Sequence, residues 1–527
     1  MRLNLDPAIP LRHEVHFGDR VIRCFAQRAP DLWSLFTTAA QGHREHQEAL
    51  VSGSNRWSYA NLESEALRVA AGLARLGVGR GDRVAMLMGN RPEFVFTLLG
   101  ILRLGAIAVP IGNRLQTPEI AYIIEHCRAV ALVHDAELAD RLPSPEATPS
   151  LAHRSTEAPR ADEMPPPACL AEEDTAVILY TSGTTGRPKG AMLTHLNIVH
   201  SALHFLHAMS LRPGDRSLLA VPASHVTGLV AVIVAMWQTA GATVLMPEFK
   251  ASEFIRLAAR ERITHTLMVP AMYKLCLLQP EFDGADLSTW RIGGYGGAPM
   301  PESTIAALAS RVPALGLINA YGATETTSPA TLLPAELAAQ RPDSVGLALP
   351  CADIVVMDDR GRQLAPGEPG ELWIRGPMVV PGYWNDPDAT AAAFTAGYWH
   401  SGDLGSVDGE GHVRVFDRIK DMLNRGGYKI FSVEVENVLS AHPGVLESAI
   451  VGRPCPVLGE RVHAFVTLRD PQLNEPELRA FCAQRLADYK VPETMTLLDE
   501  PLPRNANGKL LKRILRERLL NDQIARD

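Results

Sequence analysis

Residues 180–190 read YTSGTTGRPKG and carry the most informative chemistry in the chain. Gly183, Gly186 and Gly190 allow the backbone to fold tightly and turn its N–H groups inward. Thr181, Ser182, Thr184 and Thr185 add hydroxyl donors, and Arg187 and Lys189 add positive charge. The stretch follows an apolar strand, AVILY, and precedes a helix whose N-cap is Thr194. A loop with that inventory in that setting suits the oxygens of a polyphosphate. It is not a Walker A loop, which requires GxxxxGK[ST]: Gly183 and Gly186 stand too close together, and Gly190 follows the lysine. A glycine- and hydroxyl-rich string of no fixed order would be an ordinary turn. The fixed order of this run, and the segments downstream of it in the chain, distinguish it from one.

Four further segments carry groups that fit the same chemistry. YGATE at 321–325, after Asn319, places a carboxylate, Glu325, where a phosphate site would repel it unless a cation lies between them. GGYGGAPMP at 293–301 has four glycines that permit close backbone approach to a flat ligand. YWHSGD at 398–403 and FDRIKD at 416–421 form the third group, with Asp403 and Arg418 as polar candidates. PRNANGK at 503–509 ends on a tight Asn-Gly turn that projects Lys509. Taken alone, a lysine near a C-terminus is a solvated side chain.

These segments, in this order, resemble the signature motifs of the adenylate-forming superfamily: acyl-CoA synthetases, nonribosomal-peptide adenylation domains and beetle luciferases. The resemblance runs through nearly the whole chain. It implies that Thr181, Ser182, Gly183, Thr184, Thr185 and Lys189 hold the phosphates of ATP. It implies that Gly297, Ala298 and Pro299 flank adenine, with Asn319, Tyr321 and Gly322 beside them. Thr324 would contact the α-phosphate and Glu325 would hold Mg²⁺. Asp403 would bind both ribose hydroxyls, assisted by Arg418. Ser401 stands where the family usually has Thr, which keeps the hydroxyl. Asp417, before the ribose arginine, leans toward the acyl-CoA ligase branch. Lys420 falls at the family's hinge, Lys509 at its catalytic lysine, and Gly426, Gly427, Tyr428 and Lys429 at the segment lining the pantetheine tunnel of coenzyme A.

His225, in PASHVTG at 222–228, stands where amino-acid-activating domains carry an aspartate for the substrate ammonium. Without that carboxylate a buried ammonium would be unpaired, which argues against amino-acid substrates. The resemblance makes His225 a border of the acyl pocket and a candidate catalytic residue; a packed core histidine is the competing assignment. Val226, Thr227, Ala231, Gly294, Tyr295 and Gly296 complete the candidate pocket. Small or apolar, with one phenol, they suit an aliphatic, branched or aryl acid.

Elements must position these groups. Residues 60–76 read as an amphipathic helix stopped by Gly77, 83–88 as a buried strand, 94–104 as a helix and 106–111 as a strand. Strand–helix alternation of this kind predicts an α/β fold with parallel sheets. Seven prolines crowd residues 141–170, which read as a surface linker. Short strands and turns from 345 to 417 predict a small β subdomain. The remainder mixes strands at 447–452 and 462–468 with helices at 433–441, 475–487 and 509–520. The expected organisation is a large N-terminal adenylation domain, 1–419, and a small mobile α+β domain, 420–527, hinged at Lys420.

Composition narrows the classes. With 527 residues the chain exceeds one compact core. Hydrophobic residues at 46% and charged residues at 21% exclude a disordered chain. A net charge of -8 argues against a nucleic-acid partner. Seven scattered cysteines without a CxxC pair predict free thiols and a cytoplasmic protein. No run of about 18 apolar residues is present for a membrane span; the longest lies near Gly228 to Trp237. The basic C-terminal helix reads as a solvated cap rather than a membrane-surface element. The expected activity is an ATP-dependent carboxylic acid–CoA ligase of the kind used in fatty acid metabolism, with ATP, Mg²⁺ and coenzyme A. The alternative is an acyl-AMP ligase that loads a carrier-protein phosphopantetheine.

Overall fold

The computed structural model describes the chain apart from residues 1, 4–7, 164, 165, 167, 182–186, 339, 505–509 and 525–527, and gives only the backbone of 522–524. Two sheets with parallel cores share one layer of helices. In the first, strands run in the order Lys189–Thr194, Thr175–Thr181, Ile107–Ile111, Arg83–Leu87, Ala131–His134 and His153–Ser155. In the second, the parallel run is Glu48–Ser52, Ala242–Leu245, Arg216–Leu219, His265–Met268, Ile292–Tyr295 and Gly316–Tyr321.

Helix Tyr59–Arg75 is capped by Ser58 and Asn61, each accepting from the other's backbone, and Gly77 beyond its end has φ 82°. Helix Pro92–Leu104 is buried around most of its circumference, as its nearly unbroken apolar sequence requires. Gly100 lets it meet helix Tyr59–Arg75, since a Cβ there would lie 2.9 Å from Val69 Cγ1. Phe94, Leu98, Val69, Met86, Val133, Leu219 and Leu245 belong to one core that joins both sheets through this helical layer. Each such side chain contributes about 1.5–3 kcal/mol by leaving water. The apolar run at 228–237 is a short buried helix, Thr227–Val234 with wide π-type turns followed by Ala235–Thr239. No helix among the described residues is long and apolar enough to cross a membrane.

The β-rich region after 345 extends the second sheet. Strand Gly346–Ala348 pairs with both Thr331–Leu333 and His412–Arg418, and Tyr398–Val407, Gly370–Arg375 and Asp353–Met357 follow in antiparallel order. The proline-rich stretch 141–170 differs from the linker expected. His153–Ser155 adds a strand beside Ala131–His134, and Ala158 and Ala161 are buried. Prolines block helix and inner-strand positions, but they leave an edge strand and a strap free to pack. The strap lies on helix Tyr59–Arg75 at Gly72, where a Cβ would fall 2.2 Å from the Pro159 carbonyl carbon.

A separate sheet closes the chain: Tyr428–Ile430, Leu423–Arg425, Gly459–Leu468 and Val445–Cys455, with Thr494–Leu498 parallel to Gly459–Leu468. Its cores draw only on residues 423–519. It meets the larger part where the Asp417 carboxylate accepts from the Ser432 backbone N–H and Lys274 donates to the Leu446 carbonyl at 3.1 Å.

Candidate active site

The strands of the second sheet set the site through their register. Tyr295 lies opposite Met268 on one side and Asn319 on the other, so three parallel strands end together. Crevices beyond the carboxyl ends of such strands are where α/β sheets take ligands. Gly296 continues this edge, and a Cβ there would sit 2.3 Å from the Ala320 carbonyl oxygen. The glycine is therefore what lets the 293–301 segment lie against the 319–325 segment. Gly297 has φ 78°, a turn that favours glycine, and Ala298 and Pro299 after it are exposed.

Tyr321, at the end of its strand, donates its phenol to Asp403 Oδ2 at 2.6 Å. Arg418 Nε meets Asp403 Oδ1 at 2.7 Å, because Asp403 and Arg418 face each other across antiparallel strands. The Ser401 hydroxyl accepts from the Asp403 backbone N–H at 3.0 Å. One carboxylate is thus held between a phenol and a guanidinium. Burial and the neighbouring Asp403 charge push the Tyr321 phenol well above its ordinary range, so it stays a proton donor at neutral pH. A carboxylate flanked in this way suits two adjacent hydroxyls of a sugar.

Glu325 lies four residues further along the turn that Ala330 N–H closes on the Tyr321 carbonyl at 2.8 Å. Its side chain is nearly buried, at 9% exposure, and accepts from the Tyr383 phenol at 2.9 Å. No cationic side chain among the described residues pairs with it. A nearly buried carboxylate with one neutral donor and spare oxygen lone pairs fits a hard divalent cation such as Mg²⁺.

Nothing in the sequence singles out Tyr383. It sits in PGYW, 381–384, a string with no carboxylate, histidine, cysteine or other metal-binding signature. The segment pairs with strand Lys189–Thr194: Trp384 N–H donates to the Gly190 carbonyl at 2.7 Å and Met192 N–H to the Gly382 carbonyl at 3.1 Å. Lys189 Nζ stands 5.1 Å above the Tyr383 ring. Tyr383 thereby ties the end of the 180–190 loop to Glu325. At the other end of that loop, Tyr180 meets His126 Nδ1 at 2.8 Å, Thr181 Oγ1 donates to the Lys189 carbonyl at 3.4 Å, and Arg187 covers Tyr122. Ser182, Gly183, Thr184 and Thr185 lie outside the described residues, as does Lys509.

His225 follows strand Arg216–Leu219 at the same sheet end and is half-buried, its Nδ1 3.1 Å from Thr227 Oγ1. Gly228 makes this turn possible, since a Cβ would lie 2.2 Å from the Pro222 carbonyl oxygen. Val226, Ala231, Gly294 and Tyr295 are buried, and burial raises the Tyr295 phenol to about 12. Gly322 and Thr324 lie on the same turn as Glu325 and are half-buried. Gly426 and Gly427, with φ of 59° and 92°, form the tip of the hairpin that joins Leu423–Arg425 to Tyr428–Ile430. Tyr428 is 58% exposed and stacks on Tyr489, and Lys429 is exposed. The structure therefore brings Lys189, Tyr321, Glu325, Asp403 and Arg418 onto connected elements, and places residues 426–429 on the separate C-terminal sheet.

Comparison with known proteins gives the family. The family model of AMP-binding enzymes matches residues 36–384, and that of the AMP-binding enzyme C-terminal domain matches 434–509. A feruloyl-CoA synthase of Amycolatopsis is 37% identical, covering 90% of this chain and 96% of the relative. A long-chain-fatty-acid–CoA ligase of Mycobacterium tuberculosis, FadD13, is 36% identical over 92% of this chain and 97% of its own. A fatty acid–[acyl-carrier-protein] ligase of Streptomyces coeruleorubidus, ScoC, is 34% identical over 94% and 98%. Among solved structures, the anthranilate CoA ligase AuaEII with anthranoyl-AMP superposes with TM-score 0.86 at 26% identity, covering 94% of this chain and 98% of that one. The o-succinylbenzoate CoA synthetase of Bacillus subtilis with ATP and magnesium gives 0.83 at 30% identity, covering 94% and 99%.

Proposed function

The chain belongs to the family of AMP-binding enzymes, as an AMP-forming acid–CoA ligase, and from that premise we propose how its own residues carry the reaction. The observation that carries the proposal is the convergence of Tyr321 and Arg418 on Asp403.

Asp403 binds the ribose of ATP, with Arg418 holding its carboxylate in place. Tyr321, Asn319 and Gly297, Ala298 and Pro299 border the base. Thr181, Ser182, Gly183, Thr184, Thr185 and Lys189 hold the β- and γ-phosphates, with Gly322 and Thr324 beside the α-phosphate. Glu325 would hold Mg²⁺, which would supply charge neutralisation for the phosphates. An acid oxygen attacks the α-phosphorus, the bond to the β-phosphate oxygen breaks, and pyrophosphate leaves. A carboxylate resists nucleophiles through resonance and charge, and the resulting acyl-AMP anhydride does not. The protein contributes position and fixed charge to an in-line transfer. Lys509 bridges the carboxylate and α-phosphate oxygens. The thiol of coenzyme A then attacks the acyl carbonyl and AMP departs, with the thiol entering beside Gly426, Gly427, Tyr428 and Lys429. The change of partner follows rotation of 420–527 against 1–419 about Lys420.

His225, Val226, Thr227, Ala231, Gly294, Tyr295 and Gly296 line the acid pocket. Val226, Ala231 and the glycines are small or apolar, which favours an aliphatic, branched or aryl acid. All seven cysteines are free thiols, which supports a reducing, cytoplasmic setting. A panel of such acids, scored by AMP formed only when coenzyme A is present, tests the proposal. One or more acids should give coenzyme A-dependent AMP, and Asp403→Ala should remove it. No AMP with any acid, or an unaffected Asp403→Ala, rejects it. The similarity to ScoC supports a second acceptor, a carrier-protein phosphopantetheine. Acyl transfer to a carrier protein with no turnover on free coenzyme A would favour that acceptor.

A further inference from the structure

Away from the nucleotide residues, the N-terminal hairpin Leu11–His16 and Arg20–Phe25 lies beside segment 350–353 and strand Gly370–Arg375, and together they enclose a cavity of ≈ 60 Å³. This gives room for about four water-sized positions. Arg2, Arg23, Arg375 and His13 line it, and Asp353 is the one carboxylate among the lining residues. Two of the three guanidiniums are fixed by backbone. Arg2 Nε donates to the Ala352 carbonyl at 2.8 Å, and Arg23 donates to the Pro350 carbonyl. Arg375 reaches Asp353 Oδ2 at 2.8 Å, where the Tyr398 hydroxyl also donates, and Arg2 reaches Oδ1 at 3.4 Å.

Asp353 is thus engaged by Arg2, Arg375 and Tyr398, while Arg23 has no carboxylate partner among the described residues. Its Nε is buried and meets no hydrogen-bond acceptor among them. Three guanidiniums against one carboxylate leave a net positive cavity, and His13 stands at its exposed mouth. Like charges gathered in a partly dry cleft repel one another unless an anion lies between them. A fork of N–H donors with spare capacity suits a tetrahedral oxyanion.

We infer that the cavity bounded by Arg2, Arg23 and Arg375 is a binding site for a phosphate-type oxyanion, separate from the nucleotide site. The ligand is either inorganic phosphate or the phosphate group of a small phosphomonoester. Arg23 offers a guanidinium with no carboxylate partner among the described residues, and Arg2 and Arg375 close the sides. The site is distinct from the residues placed around ATP, so a change here leaves those contacts intact.

The test is thermal denaturation of the full chain with increasing sodium phosphate or methyl phosphate, at ionic strength matched by sodium chloride and with saturating AMP. Wild type should show a saturable rise in melting temperature with one or both phosphates. A response to phosphate alone assigns the free ion, and a response to methyl phosphate alone assigns the ester. In Arg23→Gln the half-saturating concentration should rise about tenfold or more, the effect of losing one charge-assisted contact. Arg2→Gln, at a more exposed position, should weaken binding in the same direction and guards against a folding defect in the first variant. ATP-dependent pyrophosphate release should match wild type in both. A rise equal in all three proteins would put the phosphate at the nucleotide site and overturn the inference. So would no rise beyond that given by chloride.

Discussion

Asp403 shows how much one carboxylate can be asked to do. It takes a phenol and a guanidinium on separate oxygens, which fixes its plane before any sugar arrives. Glu325 is arranged differently, with a single neutral donor in Tyr383. Removing that hydroxyl should loosen the carboxylate without deleting it. Tyr383→Phe is expected to raise the Mg²⁺ concentration for half-maximal AMP formation by about 10–100-fold, the equivalent of 1.5–3 kcal/mol for a hydrogen bond to a charged group. Unchanged metal dependence would remove Tyr383 from the site. Lys509→Ala is expected to lower acyl-AMP formation by about 10²–10³, the usual cost of one preorganised donor, while equilibrium dialysis shows ATP still bound. Lost ATP binding would make Lys509 a nucleotide anchor instead. Glu325, Asp403 and Arg418 are legible in the sequence as candidates because charged groups in fixed strings advertise a chemistry, and the structure gives the first a phenol partner and pairs the other two. Tyr383 is not, because its place beside Glu325 follows from its neighbours Gly382 and Trp384 pairing with Met192 and Gly190, far away in the chain.

At the scale of elements, two glycines meet equally close neighbours and should fail in different ways. A Cβ at Gly296 would strike the Ala320 carbonyl oxygen at 2.3 Å, and one at Gly72 would strike the Pro159 carbonyl carbon at 2.2 Å. The first contact lies beside Tyr321, between two segments of the site. The second lies under the proline-rich strap. Gly296→Ala is expected to reduce kcat/KM at least tenfold, in line with the effect of roughly 1 Å of misplacement on a positioned site. Gly72→Ala is expected to lower the melting temperature with kcat/KM near wild type in the folded fraction. The reverse pattern would mean that the strap, and not the paired strand ends, positions the nucleotide. Alternating periodicity makes most strands and helices legible without the structure. Helix Tyr59–Arg75 and strand Arg83–Leu87 fall within one or two residues of their expected bounds. The strap is not legible, because prolines record which backbone bonds are missing and say nothing of what an apolar face nearby will accept. Nor does the sequence show that the strands after 345 continue the second sheet. That continuity depends on Gly346–Ala348 pairing on both sides, a long-range contact with no local signature.

At the scale of the whole molecule, charged groups bridge two of its seams. Arg28 donates to Glu14 on the N-terminal hairpin and to Glu172 before strand Thr175–Thr181, at 2.6–2.8 Å. Those N–H groups hold the Glu14 carboxyl far below its ordinary value of 4.5 against the opposing effect of burial, with Arg12 and His16 assisting. The stabilisation from a lowered folded value is fully present above 4.5 and is lost as pH falls from 4.5 toward that lowered value. Glu14→Gln should therefore cost about 1.5–3 kcal/mol at pH 7, seen as a lower melting temperature, and the gap should narrow on acidification below 4.5. A gap constant from pH 7 down to the acid limit would mean that packing, not charge, secures the hairpin. The second seam lies at Lys420, between strand His412–Arg418 of the large sheet and Leu423–Arg425 of the small one. Arg516 donates to the Lys420 carbonyl at 3.2 Å and pairs with Asp421, so the C-terminal helix grips this crossing from the small side. Asp417 grips it from the large side through the Ser432 N–H. If residues 420–527 turn between the two half-reactions, the backbone at 420 must take up the change while the sheets on either side stay whole. Proline fixes φ near about −65° and removes that freedom. Lys420→Pro is expected to slow thioester formation from preformed acyl-AMP by roughly tenfold or more, with acyl-AMP formation changed only about two- to threefold. Single-turnover assays of the two half-reactions measure this split. An equal loss in both would show that the crossing is a rigid joint and that the thiol reaches the anhydride without a turn of the small sheet.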